Sequence, residues 1–204
     1  MGNTRYTMSF TTGGLFLQES LKMATLYLES KDWIFVQQKV ISDNLLQSRT
    51  LSTSKRNCRE ILSRLKTLNQ DEIDLFIHCS HLEQGYILWI AICRRYRFIA
   101  DFAIEVLRER YISLKTDLNY EDFDSFFNKK SDWHSELEKI RSVSRKKLRQ
   151  VLFKIMREAE LRLPDHTING VIFSPSFFDV ISSKHQQDLL FFPIFDADLM
   201  RMAK

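Results

Sequence analysis

Cationic side chains are concentrated in two stretches of the sequence. Six Lys or Arg residues but only one acid, Glu60, lie between residues 49 and 66, and seven with no acid lie between residues 141 and 157. Clustered Lys and Arg bind phosphate groups, and such binding weakens steeply with salt because counterions are released. The two stretches therefore favour nucleic-acid binding, with a solvated, non-binding helix face as the plainer alternative for each.

The first stretch has the periodicity of an amphipathic helix. Its apolar stripe consists of Cys58, Ile61, Leu62 and Leu65, at i, i+3, i+4 and i+7. We predict a helix over residues 52–66, with Ser52 or Thr53 as its N-cap. An apolar-periodic segment at 33–41 and a turn-like connection precede it, which together outline a helix-turn-helix.

The second stretch predicts a helix over residues 144–161. Its inner face consists of Leu148, Val151, Leu152, Ile155 and Ala159, while Lys146, Arg149, Gln150 and Arg157 lie on the outer side. Residues 167–173 follow, rich in β-branched side chains around Asn169 and Gly170. This composition is compatible with a small β-hairpin or wing beside this helix.

The residues predicted to contact DNA lie in or beside these two helices and carry cationic or hydroxyl side chains. They are Arg49, Ser52, Thr53, Lys55, Arg56, Arg59, Lys66, Arg145, Lys146, Lys147 and Arg149. Lys and Arg are expected to supply most of the affinity, so sequence preference is expected to be weak.

Other chemically capable residues lack a supporting pattern. His78, Cys79 and His81 could ligate zinc, but no second cluster offers a fourth ligand, so we predict no metal site. Gly13 and Gly14 precede a predicted helix without the Lys-Ser/Thr of a phosphate-binding loop, which favours a capping role. With no nucleophile–base pair, we expect no catalytic residues, no cofactor and no small-molecule substrate.

Composition indicates a mainly helical globular protein. The 204 residues are 44% hydrophobic and 27% charged, with sixteen Phe but only five Gly and three Pro. Three cysteines without a CxxC pair predict reduced thiols in a cytoplasmic protein. The longest apolar run, residues 86–93, is far shorter than the roughly 20 residues of a membrane span, and the polar first ten residues lead us to expect no signal peptide.

The chain is predicted to fold as two helical parts. Residues 1–69 form the helix-turn-helix-like part, and residues 70–204 form a larger helical part with the second basic helix and the wing. The boundary falls at Asn69-Gln70-Asp71, where Asp71 is predicted to cap a new helix.

Five segments in order resemble the BrxA family, the small component of the bacterial BREX phage-defence system. They are YTMSFTTGGL (6–15), LLQSRTLSTSKR (45–56), CRRYRFIADFAIEVLRERY (93–111), FFNKKSDWHSEL (126–137) and KLRQVLFKIMREAEL (147–161). The resemblance implies a cytoplasmic, mostly helical protein that has been likened to the NusB fold and is associated with double-stranded DNA. It implies no enzymatic activity and no cofactor.

The family's basic residues correspond here to Arg49, Lys55, Arg56, Arg94, Arg95, Arg97, Lys147 and Arg149. A DNA-binding module is therefore the leading hypothesis. Two alternatives stay open: an adaptor whose basic faces bind other BREX proteins, and an RNA-binding module suggested by the NusB likeness.

Overall fold

The computed structural model describes residues 5–11 and 13–203. Its helices are α1 (Leu17–Ser30), α2 (Trp33–Ser42), α3 (Leu51–Leu65), α4 (Gln70–His78), α5 (His81–Arg95), α6 (Arg97–Phe102), α7 (Glu109–Ile112), α8 (Tyr120–Ser131), α9 (Ser135–Glu138), α10 (Ser142–Glu158), α11 (Pro175–His185) and α12 (Asp196–Met202). A π-helical segment, Ala103–Arg108, joins α6 to α7, and a 3₁₀ segment, Gln186–Phe191, follows α11. The prediction of a mainly α protein is confirmed.

Helix α5 lies at the centre of the molecule. Every residue from Gly85 to Cys93 is buried, because this stretch is apolar on all faces and other helices surround it. The Trp89 indole donates a hydrogen bond to the Phe191 carbonyl oxygen (2.9 Å), which ties the 3₁₀ segment to the centre. Helices α1, α3, α4 and α10 all pack against α5.

Side-chain caps begin several helices, and two of them differ from the predictions. Asp32 caps α2, since its carboxylate accepts a hydrogen bond from the Ile34 amide at 2.7 Å. Helix α3 is capped by Thr50 instead of Ser52 or Thr53, because it begins one residue earlier than predicted. Asn69, not Asp71, caps α4, where it forms a capping box with Glu72.

Residues 167–173 do not form the small β-hairpin or wing suggested by their composition. Thr167 and Ile168 form isolated antiparallel bridges with Asp117 and Arg162, and the described residues contain no β-strand. The chain turns earlier than predicted, between Leu163 and Thr167, whose amide and carbonyl groups hydrogen bond at 2.8 Å. Ile168 is buried, so the segment lies against the body instead of projecting from it.

Helices α2 and α3 pack together, but their connection is unlike that of a helix-turn-helix. Eight residues, 43–50, separate them, whereas the motif has a turn of three or four. The predicted division near residue 69 stays a prediction. Helix α1 packs on α4 and α3 on α5, so extensive packing crosses that position.

Candidate nucleic-acid interface

Helix α3 presents an exposed basic face. Lys55, Arg56, Arg59 and Lys66 are all exposed, and Ser52 lies among them. Within the described residues, none of these four cations has an acidic partner in an ion pair. The apolar positions Cys58, Ile61, Leu62 and Leu65 are buried on the opposite side. We call Ser52, Lys55, Arg56, Arg59 and Lys66 the α3 basic face.

Two other predicted residues of this region lie beside that face. Arg49 is exposed in the loop before α3. Thr53 is half-buried, its amide donates to the Thr50 hydroxyl (3.2 Å), and its own hydroxyl accepts from Thr50 (2.9 Å). Thr53 thus helps to form the cap of α3, while Arg49 makes no ion pair with any residue in the described part of the chain.

One cation of α3 is buried. The Arg64 side chain is 1% exposed, and its Nε donates to Glu60 at 2.9 Å. The Tyr96 hydroxyl donates to both oxygens of the same carboxylate, at 2.7 and 2.8 Å. Burial, followed by the bond to Glu60, raises the pKa of Tyr96 to about 12. Arg64 and Glu60 therefore hold α3 to the body and contribute nothing to the surface charge of its basic face.

Helix α10 carries its cations on two different sides. Arg145 and Arg149 both pair with Asp124 of α8. Their guanidinium groups also lie over aromatic rings, Arg145 over Phe127 at 4.4 Å and Arg149 over Tyr120 at 4.5 Å. These two predicted DNA contacts are thus engaged within the protein.

The cations on the outer side of α10 are exposed to solvent. Lys146, Lys147 and Arg157 are exposed and have no ion-pair partner among residues 5–11 and 13–203, while Lys154 lies 3.6 Å from Glu158. Arg157 was omitted from the predicted contacts although it follows Lys146 by eleven residues, three helical turns along the same face. We call Lys146, Lys147, Lys154 and Arg157 the α10 basic face.

Three arginines lie at the end of α5 and the start of α6, and the first of them, Arg94, holds the fold together. Arg94 pairs with Glu72 and Asp188, each at 2.6 Å, and donates to the Thr67 carbonyl oxygen at 2.9 Å. Burial raises the pKa of Asp188, and Arg94 opposes that rise. Arg95 is half-buried over the Tyr96 ring, and Arg97 is exposed, 3.9 Å from Asp101. Arg94 is therefore unavailable to a ligand.

The C-terminal ends of α3 and α10 meet at the segment before α1. Arg64 Nη1 donates to the Gly14 carbonyl oxygen (2.8 Å), and Glu158 Oε2 accepts from the Leu15 amide (2.6 Å). A cavity of about 370 Å³ lies beside this contact, lined by residues 13–19, Lys154 and Glu158. Because Glu158 already accepts from the Leu15 amide, the protein's own carboxylate holds the place where a phosphate would have to bind.

His78, Cys79 and His81 are neighbours in sequence but are not gathered into a set of metal ligands among the described residues. Within the described part of the chain, no group of three or more His, Cys, Asp or Glu residues is placed to hold an ion. His78 is exposed and bonds to the Asp74 carbonyl oxygen (2.9 Å). Burial raises the pKa of the Cys79 thiol to about 12.

Across residues 5–11 and 13–203, no helix is both long enough and apolar enough to cross a bilayer.

Comparison with known proteins connects this architecture to a family. The chain is 27% identical over 180 residues to the BREX protein BrxA of Escherichia coli O9:H4 (strain HS), covering 87% of this chain and 84% of that protein. It is also 27% identical over 154 residues to the BREX protein BrxA of Bacillus cereus (strain H3081.97), covering 76% and 77%.

A solved structure shares the fold. The crystal structure of an uncharacterized protein from Magnetospirillum magneticum superposes with a TM-score of 0.77 at 18% identity, covering 93% of this chain and 98% of that one. The family model named BrxA matches residues 4–185, nearly the whole chain. This protein therefore belongs to the BrxA family of BREX components.

Proposed function

We propose that the protein is a non-enzymatic component of a BREX phage-defence system that binds double-stranded DNA through the α3 and α10 basic faces. The observation that supports this most strongly is the state of the α3 cations. All four are exposed, and the described residues provide none of them with an acidic partner. Unpaired exposed cations on a rigid helix are available to phosphates without breaking an existing contact.

The dimensions of the two helices suit a duplex. Helix α3 has 15 residues and α10 has 17, so they are roughly 22 and 25 Å long. A helix fits the major groove of B-DNA, which is about 12 Å wide. On α3 the Lys and Arg side chains would bind phosphates and Ser52 would add a hydroxyl contact. A face of this composition is expected to bind with little sequence preference.

Fluorescence anisotropy with duplex DNA over a series of salt concentrations tests the proposal. We expect log affinity to fall linearly with log salt, with a slope of about −0.9 per phosphate contacted. Arg56→Glu with Arg59→Glu should weaken binding at least about 100-fold, since two attractive contacts become repulsive. A matched control, Lys115→Glu with Arg201→Glu, makes the same change in net charge at exposed positions outside both faces. Equal loss in both variants would refute a specific role for α3.

A second function, as an adaptor for other BREX proteins, has one observation in its favour. Leu51 begins α3 and is 57% exposed, and Ile34 and Phe35 on α2 are 67% and 45% exposed. Exposed apolar side chains favour contact with another protein. An adaptor should co-purify with a BREX partner after nuclease treatment. Loss of the partner on nuclease treatment would instead mean that DNA holds the two together.

RNA binding is separated from DNA binding by competition. A labelled duplex DNA is bound first, and unlabelled duplex DNA or RNA of equal length is added. Stronger displacement by DNA supports the proposal. Stronger displacement by RNA would assign the basic faces to RNA, whose A-form grooves present a different shape.

A further inference from the structure

One peptide bond is held from both sides by the two basic helices. The peptide unit between Gly14 and Leu15 has its carbonyl oxygen bonded to Arg64 of α3 (2.8 Å) and its amide bonded to Glu158 of α10 (2.6 Å). Both side chains come from the last turns of their helices. The ends of α3 and α10 are therefore fixed to the same short segment of main chain.

The contact has its present geometry because position 14 is a glycine. A Cβ atom at Gly14 would lie 2.2 Å from Glu158 Oε2, which is far inside van der Waals contact. Any larger residue would push the carboxylate away from the Leu15 amide. The glycine and the glutamate therefore form a matched pair, although 143 residues separate Glu158 from the amide that it binds.

Arg64, which makes the contact from the α3 side, is itself held in place by its neighbours. Arg64 is 1% exposed and is held by Glu60, whose carboxylate also accepts from the Tyr96 hydroxyl. Its guanidinium lies 5.6 Å from the centre of the Phe16 ring, just beyond the bound peptide. A guanidinium fixed by an ion pair and a ring loses little further freedom when it binds a carbonyl oxygen. The peptide bond is thus attached to a rigid part of α3.

We infer that Arg64, Glu158 and the Gly14–Leu15 peptide bond are positioning elements that hold α3 and α10 in one arrangement, so that both basic faces bind the same DNA duplex. This inference rests on the proposed function. Neither Arg64 nor Glu158 needs to contact DNA. Each keeps one cationic helix in a fixed position relative to the other. When one basic face binds DNA, the second face is already positioned beside the duplex, so its binding costs no further entropy.

The charge of Glu158 makes the inference testable. If Glu158 were only an acid near DNA, its removal would strengthen binding, because it would remove repulsion from phosphates. If Glu158 positions α10, its removal weakens binding. The two explanations therefore predict opposite signs for Glu158→Ala. Glu158→Gln removes the charge but keeps an oxygen that can accept from the Leu15 amide, so it separates charge from positioning.

The experiment measures the salt dependence of binding to a duplex of about 20 base pairs for four proteins: wild type, Glu158→Ala, Glu158→Gln and Gly14→Ala. We expect Glu158→Ala and Gly14→Ala to bind duplex DNA with a shallower salt slope than wild type, because the two basic faces are then held in register less firmly. Glu158→Gln should keep the wild-type slope. Circular dichroism and thermal unfolding of each variant establish a working temperature at which all four proteins are folded.

Two further variants complete the design. Combining Gly14→Ala with Glu158→Ala should cause no more loss than either change alone, since both remove the same contact. Glu29→Ala removes an exposed acid of α1 that makes no ion pair among the described residues, and should leave the slope unchanged. A wild-type slope in folded Glu158→Ala, with binding still abolished by Arg56→Glu and Arg59→Glu, would overturn the inference and leave the proposed function intact. Absence of DNA binding by wild type would refute both.

Discussion

The basic helices α3 and α10 look alike in sequence but hold their cations differently. On α3 four cations are exposed without acidic partners among the described residues, and one arginine is buried. On α10 two arginines pair with Asp124 of α8, and the remaining cations lie on the opposite, outer side. A count of Lys and Arg in a helix therefore overstates the charge that a ligand meets. The position of acids elsewhere in the fold decides how much is free.

The largest effect is expected from comparing two arginines of α3 itself. Arg64→Ala should lower the free energy of unfolding by about 3–5 kcal/mol, because it removes a buried guanidinium and leaves the Glu60 carboxylate, only 12% exposed, without its cation. Arg59→Ala, at an exposed position on the same helix, should change it by less than about 0.5 kcal/mol. Chemical denaturation measures both. Similar values for the two would mean that Arg64 is not a structural residue.

The second-largest effect is expected from comparing substitutions on the two sides of α10. Lys146→Ala with Lys147→Ala should reduce the salt slope of DNA binding by about 2, as two phosphate contacts are lost. Arg145→Ala with Arg149→Ala should leave the slope unchanged but lower stability by about 1–3 kcal/mol, since Asp124 loses both partners. Anisotropy and denaturation are run on both pairs. If the arginine pair lowered the salt slope and the lysine pair did not, Arg145 and Arg149 would have to release Asp124 and bind DNA themselves.

A smaller gain is expected from Asp124→Asn. The change removes the charge that holds Arg145 and Arg149, so affinity for DNA should rise a few-fold and the salt slope should become steeper by at most about 2. Arg145 keeps its hydrogen bond to Asn128 (2.7 Å), which limits how far it is released. Glu121→Gln, another α8 acid, is the matched control because its side chain makes no ion pair among the described residues. An equal rise in both variants would indicate a general charge effect.

The smallest effect concerns the Tyr96–Glu60 contact behind α3. Burial raises the pKa of Tyr96 to about 12 from an ordinary value near 10. The phenol is therefore favoured in its neutral form by the fold, and the stability that this contributes is present below pH 10 and is lost as pH rises from 10 towards 12. Ultraviolet titration of tyrosinate should show one fewer late-ionising group in Tyr96→Phe. An unchanged titration curve would place Tyr96 among the ordinary tyrosines.

Local patterns in the sequence predict the helices well. The stripe from Cys58 to Leu65 predicts a helix over 52–66, and the structure has one at Leu51–Leu65. The predicted helix over 144–161 likewise corresponds to α10 at Ser142–Glu158. These features depend on residues within one or two turns of each other, which is the range over which propensity and periodicity act.

Contacts between distant residues could not be predicted in this way. Asp124 precedes Arg145 by 21 residues and Arg149 by 25, so only the packing of α8 on α10 brings them together. Arg64 is buried because Gly14, 50 residues away, offers it a carbonyl oxygen.

The prediction of a wing at residues 167–173 is wrong for a local reason. Asn169 and Gly170 suggest a turn, but the chain turns at Pro164 and Asp165 instead, and Ile168 is drawn into the core.

Arg94 has a consequence for how much of the chain is needed to make a stable protein. The family match ends at residue 185, yet Asp188 and Phe191 beyond it accept hydrogen bonds from Arg94 and Trp89. Truncation after residue 185 would expose the core to water and remove both acceptors, and Arg94 would keep only Glu72 and the Thr67 carbonyl oxygen as partners. The final segment thus covers the central helix, and truncated or proteolysed forms of the protein that lack it should unfold more readily than the 204-residue chain.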